Sequence, residues 1–69
     1  MKDSFGNRLK DLRTEDGIVQ VELARNLGVS RGIISRWEHD LVEPTLSNIV
    51  AIAKFFGVSM DFLAGLSDF

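Results

Sequence analysis

Three arginines, Arg25, Arg31 and Arg36, lie between Gln20 and Trp37 beside a single acid, Glu22, so this stretch carries +2 in a chain whose formal net charge is −2. A guanidinium presents forked donors that match two acceptors at once, as on a carboxylate, a phosphate, or O6 and N7 of guanine. The other reactive side chains do not compose a second chemistry. His39 is the single histidine and there is no cysteine, so neither a His/Cys metal cluster nor a disulfide framework can be built. Ser30, Ser35 and Ser59 lack a supporting histidine arrangement, and the acids are scattered over several faces. The expectation is therefore no catalytic residue, no bound metal, no cofactor and no enzymatic activity.

These residues must be positioned by a very small domain. A chain of 69 residues holds one compact core, and without staples its stability must come from packing the 45% of residues that are hydrophobic. Helices with local contacts suit that size best. The N-terminus, MKDSFGNRLKD, lacks the apolar stretch of a signal peptide, and no apolar run approaches the roughly 20 residues of a membrane span. A soluble, cytoplasmic chain is expected, with no membrane partner. The sequence pI near 5.1 argues against broad nonspecific affinity for nucleic acid, so any such binding must use a local basic surface.

Hydrophobic periodicity predicts five short helices and no strand. Phe5, Leu9 and Leu12 mark the first, from Ser4 to Asp16, with Gly17 as a stop. Leu23, Ala24 and Leu27 mark the second, from about Gln20 to Gly28, whose glycine suits a left-handed C-terminal cap. Ser30 is a good N-cap for the third, Arg31 to about His39, with Ile34 and Trp37 facing inward. Pro44 halts any helix in the next loop, and Thr45 caps a fourth in which Leu46, Ile49, Ile52, Ala53 and Phe56 share a face. Ser59 caps a last short segment supplying Met60, Phe62, Leu63 and Leu66. Helical spacing with Ile34 makes Trp37 a core residue rather than a stacking platform for bases.

The stretch QVELARNLGVSRGIISRWE, residues 20–38, reads as two helices joined by a tight Gly28-Val29-Ser30 corner, with Ala24 allowing close approach and Val29 plugging the gap. In this register the sequence resembles the Xre and lambdoid phage repressor family of helix-turn-helix proteins. The similarity extends to Arg8-Leu9-Lys10-Asp11-Leu12-Arg13 in the first helix, Pro44 before the fourth, and Phe56-Gly57-Val58-Ser59 with Phe62-Leu63. It implies an all-α, five-helix repressor-like domain over residues 1–69, with the motif at helices two and three. It also implies a bacterial or phage transcription regulator, expected to be a repressor, that reads double-stranded operator DNA through the third helix in the major groove.

The outward residues at the start of that helix, Arg31, Gly32, Ser35 and Arg36, are then the base-contacting set. Arg31 and Arg36 suit guanine, Ser35 a base or a phosphate, and Gly32 contributes backbone and room. Gln20, Ser30, Ile33 and His39 are expected as backbone or auxiliary contacts. The resemblance gives Gln20, at the N-terminus of helix two, a phosphate, and Ile33, where exposed, could touch a thymine methyl. It also implies a partly buried, structural ion pair between Arg13 and Glu38.

Two positions depart from the family pattern. Val19 stands where Ser or Thr is usual and cannot cap through a side-chain oxygen. The loop after helix three reads Asp40-Leu41-Val42-Glu43 where basic residues are usual, which removes phosphate contacts. The expected remedy for modest single-copy affinity is a homodimer on a partly palindromic operator. The same acidic loop motivates a rival reading, a protein-interaction module that keeps the fold and has weak or lost DNA binding. In that reading Leu41 and Val42 form a partner surface, whereas in the first they can equally tuck against the core.

Overall fold

The computed structural model describes residues 4–67; the ends of the expected 1–69 domain, residues 1–3 and 68–69, lie outside the described residues. Five helices occur among them: α1 (Phe5–Glu15), α2 (Gln20–Leu27), α3 (Arg31–Glu38), α4 (Leu46–Phe56) and α5 (Met60–Leu63). No strand is present among the described residues. Hydroxyls start four of the helices. Ser4 accepts from Asn7 N, Ser30 from Ile33 N, Thr45 from Asn48 N and Ser59 from Phe62 N, each in extended N-cap geometry. Each such bond satisfies an amide that the helix leaves without a partner. At the start of α2, Val19 has the same extended backbone and makes no side-chain bond.

The α2–α3 corner depends on Gly28. Its φ of 71° lies in the left-handed region, and its N–H bonds back to Ala24 O and Arg25 O, so α2 ends and the chain turns within three residues. Val29 is half-buried against the core there, and Ala24 is 3% exposed, which brings the two helices close.

Every helix contributes to one core: Leu9 from α1, Leu23 and Ala24 from α2, Ile34 and Trp37 from α3, Ile52 and Ala53 from α4, and Leu63 from α5. Burial of a large apolar side chain contributes about 1.5–3 kcal/mol, so these few residues carry much of the folding free energy. Helix α3 packs on both α1 and α2, which holds its inner face rigidly and leaves the opposite face to solvent. Phe5 meets Trp37 edge-on at 6.5 Å between centroids, joining the start of α1 to the end of α3.

Three apolar residues placed inward by periodicity point outward instead. Leu46 is 71% exposed, Met60 37% and Leu66 79%. Leu46 and Met60 are the first residues of α4 and α5, where the helix has not yet reached the packed layer. Leu66 follows Gly65, whose φ of 81° turns the chain away after α5. In the loop, Leu41 is 74% and Val42 40% exposed, so the alternative in which they tuck against the core does not hold.

Candidate nucleic-acid interface

The outer face of α3 is built by its inner one. Ile34 and Trp37 are 0% and 1% exposed, and their burial against α1 and α2 turns Arg31 and Arg36 to solvent. Neither guanidinium has an ion-pair or hydrogen-bond partner among the described residues; the same is true of Arg25 on α2. By contrast Arg13 is fully engaged in the interior, and Arg8 lies over the Phe62 ring at 4.8 Å. The arginines thus divide into two that hold the fold and three that face outward.

Of the remaining base-contacting candidates, Gly32 and Ser35 lie on α3 and are half-buried. The Ser35 carbonyl accepts from His39 N at 3.1 Å and faces His39 Nδ1 at 2.8 Å. A carbonyl only accepts, so Nδ1 carries the proton in this contact. His39, exposed at the C-cap of α3, therefore closes the end of the helix. Ser30 is likewise engaged locally, its hydroxyl accepting from Ile33 N at 3.1 Å. Ile33 is half-buried and packs on the core, which leaves only part of its side chain for any outside contact.

The Arg13–Glu38 pair is a bidentate contact across α1 and α3. Arg13 Nε donates to Glu38 Oε2 at 2.6 Å and Nη2 to Oε1 at 3.0 Å, with side chains 12% and 2% exposed. Arg13 Nη1 also donates to Ile18 O at 2.9 Å, tying the turn before α2 to the same group. Gln20 joins from α2, its Nε2 donating to Glu38 Oε1 at 3.0 Å. A carboxylate accepts only, so the amide nitrogen of Gln20 must face inward, and one of its two N–H groups is already used. Burial pushes the Glu38 carboxyl up, but hydrogen bonds from Arg13 and Gln20 and the nearby positive charges of Arg13 and Lys10 outweigh it, and the net shift is downward. The bond to Glu38 holds the Arg13 guanidinium above its ordinary value despite burial.

One pair of functional neighbours is not legible from local patterns. Asp40, in the acidic loop, has φ 58° and accepts from Gly6 N at 2.9 Å, so its carboxylate sits at the N-terminus of α1. A Cβ on Gly6 would lie 2.5 Å from Trp37 O and 2.7 Å from Glu38 O, which is why glycine is needed for α1 to touch the end of α3. The available signal was a glycine inside a helical pattern, which costs stability and so points to close packing. Beside this contact a shallow groove is lined by Phe5, Asp40, Val42, Glu43 and Pro44.

No group of three or more metal-ligating side chains converges among the described residues, and no helix there is long and apolar enough to cross a membrane.

A buried two-helix corner that displays arginines from its second helix defines a helix-turn-helix unit of the phage-repressor class. The chain belongs to the helix-turn-helix family, whose family model matches residues 9–63. It is 41% identical over 59 residues to the HTH-type transcriptional activator BcrR of Enterococcus faecalis, covering 86% of this chain and 29% of that protein. It is 39% identical over 59 residues to the prophage-derived regulator YonR of Bacillus subtilis, covering 86% of this chain and 55% of that one. The chain thus spans between about a third and about half the length of these curated relatives. Among solved structures, the P22 c2 repressor protein in complex with a synthetic operator superimposes with a TM-score of 0.89 at 32% identity, covering 96% of this chain and 100% of that one.

Proposed function

We propose that this domain is the DNA-reading part of a transcription regulator, acting as a repressor by occupying operator DNA with α3 in the major groove. The observation that carries the reading is the pair of exposed, uncommitted guanidinium groups, Arg31 and Arg36, on the outer face of a helix whose inner face is locked into the core. Gly32 and Ser35 complete the base-facing surface. Gln20 uses its second amide N–H toward a phosphate while the first stays on Glu38. Family membership and the likeness to an operator-bound repressor support the same reading. A homodimer on a partly palindromic site, with half-sites about one helical turn apart, is the assembly that raises its affinity.

Selection of random duplex DNA by the purified chain at low salt tests this directly. The expected result is enrichment of a guanine-containing half-site, and Arg36→Ala should weaken binding to it about 5- to 150-fold, the range for losing a bidentate guanine contact, while relaxing selectivity at one base pair. A second reading, an interaction module on the same fold, is favoured by the exposed Leu41 and Val42 between Asp40 and Glu43. Absence of any enrichment or low-salt binding would replace the first reading by the second.

A further inference from the structure

The loop after α3 borders a groove that the DNA reading does not use. Phe5, Asp40, Val42, Glu43 and Pro44 line about 260 Å³ of open space between the start of α1 and this loop. Its walls are held without an occupant. Phe5 rests edge-on against Trp37, which is 1% exposed. Asp40 accepts from Gly6 N at 2.9 Å, its own N–H donates to Trp37 O at 3.1 Å, and Leu41 N donates to Arg36 O at 2.9 Å, so the loop leaves α3 in one fixed direction. Pro44 has its φ set by its ring at the far end. A site shaped before binding avoids the cost of ordering itself when its partner arrives.

The chemistry of the lining selects the occupant. Phe5, Val42 and Pro44 are apolar and Asp40 and Glu43 are carboxylates, neither of them with a cation beside it among the described residues. Asp40 spends one oxygen on Gly6 N, and Glu43 spends none. Two carboxylates repel a phosphate, and among the described residues no third ligand converges with them to hold a metal. The volume lies below the roughly 300–1,000 Å³ of small-molecule sites and has room for one long side chain. The geometry points to an arginine of a partner protein as that side chain. Its stem and flat guanidinium lie along Phe5, Val42 and Pro44, and its forked donors reach the free oxygens of Asp40 and Glu43. A lysine suits the groove less, because its compact ammonium is strongly hydrated and has no flat face to lay on apolar walls. Leu41, 74% exposed between the lining residues Asp40 and Val42, offers an aliphatic flank, so the partner segment carries aliphatic residues beside its arginine. The inference rests on the loop being a partner surface, as in the second reading, and requires no loss of DNA binding.

The test is a magnetic-resonance titration of the isotope-labelled chain with the peptide acetyl-Ala-Leu-Arg-Leu-Ala-amide, against the same peptide carrying citrulline in place of arginine. The arginine peptide should move the backbone amide signals of Asp40, Leu41, Val42 and Glu43. The citrulline peptide, which keeps the shape and loses the charge, should bind about 3- to 10-fold more weakly. Glu43→Gln should weaken the arginine peptide by a similar factor with an unchanged melting temperature, since Glu43 bonds to nothing among the described residues. Glu15→Gln, at the opposite end of α1 from Phe5, should leave peptide binding as it is. Equal shifts with both peptides, confined to the loop, would overturn the arginine assignment and leave the loop as a partner surface. No shift with either peptide would remove both. The same signals moving when the chain alone is concentrated would give the groove to a second copy and overturn the proposal as well. Selection of duplex DNA tests α3 and is independent of all these outcomes.

Discussion

At the residue scale, Glu38 carries an unusual share of the architecture. Its carboxylate collects Arg13 Nε and Nη2 from α1 and Gln20 Nε2 from α2, so one acid on α3 fixes the two helices that frame it. A 69-residue domain has a total stability of about 3–10 kcal/mol, while removing one partner of a buried pair costs about 3–5 kcal/mol. Glu38→Gln should therefore leave the chain largely unfolded or melting far lower, by circular dichroism, and replacing Arg13 and Glu38 together by apolar residues should cost less than either single change. The pH dependence follows from the lowered carboxyl. Its contribution is fully present above the ordinary glutamate range, near 4.3, and is lost as pH falls through the depressed native value, so an acid titration of the wild-type chain, followed by the urea midpoint, should show stability falling progressively below about pH 4. The Arg13–Glu38 contact was legible because it lies on positions matched by the family resemblance. The Gly6–Asp40 contact was not, since it joins residues 34 apart and depends on a left-handed Asp40 that no periodicity announces.

At the scale of elements, the helix starts were the most legible feature, because a hydroxyl before an apolar-periodic segment is itself the capping chemistry. Ser4, Ser30, Thr45 and Ser59 all make the bond their type implies. The weakness lay at the ends of apolar faces. Leu46 and Met60 fit the helical period but open helices whose first turn has no neighbour to cover it, and Leu66 lies beyond the end of α5; period alone says neither where a neighbour stops nor where a helix ends. The missing cap on α2 gives a direct prediction. Val19 is 60% exposed and already has N-cap backbone geometry, with φ −89° and ψ 164°, so a side-chain oxygen there needs no rearrangement. Val19→Ser should stabilise the domain by about 0.5–1 kcal/mol, seen as a rise in the urea midpoint with an unchanged slope. An unchanged midpoint would mean that the first amides of α2 are already satisfied by solvent as well as a hydroxyl could satisfy them.

At the scale of the whole molecule, a negatively charged domain is proposed to bind a polyanion. The local distribution makes this possible, since Arg25, Arg31 and Arg36 are exposed without partners among the described residues while much of the acid lies elsewhere. If Arg31 and Arg36 spend their donors on bases, few cations remain for phosphates. The salt dependence of binding should then be shallow, because each neutralised phosphate contributes only about −0.9 to the slope of log affinity against log salt. The loop after α3 is where that balance can be changed. Asp40 is the wrong position to alter, because its carboxylate holds Gly6 N and its loss would confuse folding with binding. Glu43 is exposed and bonds to nothing among the described residues, so Glu43→Lys changes charge with little effect on stability. With the loop against the DNA backbone, that variant should bind more tightly at low salt and steepen the slope by about 0.9 per copy, as titrations of one duplex across a salt series would show. A dimer would double the change per complex. An unchanged slope would place residue 43 away from the phosphates, and the acidic loop with Leu41 and Val42 would then stand clear of the DNA, free to meet another protein while α3 stays in the groove.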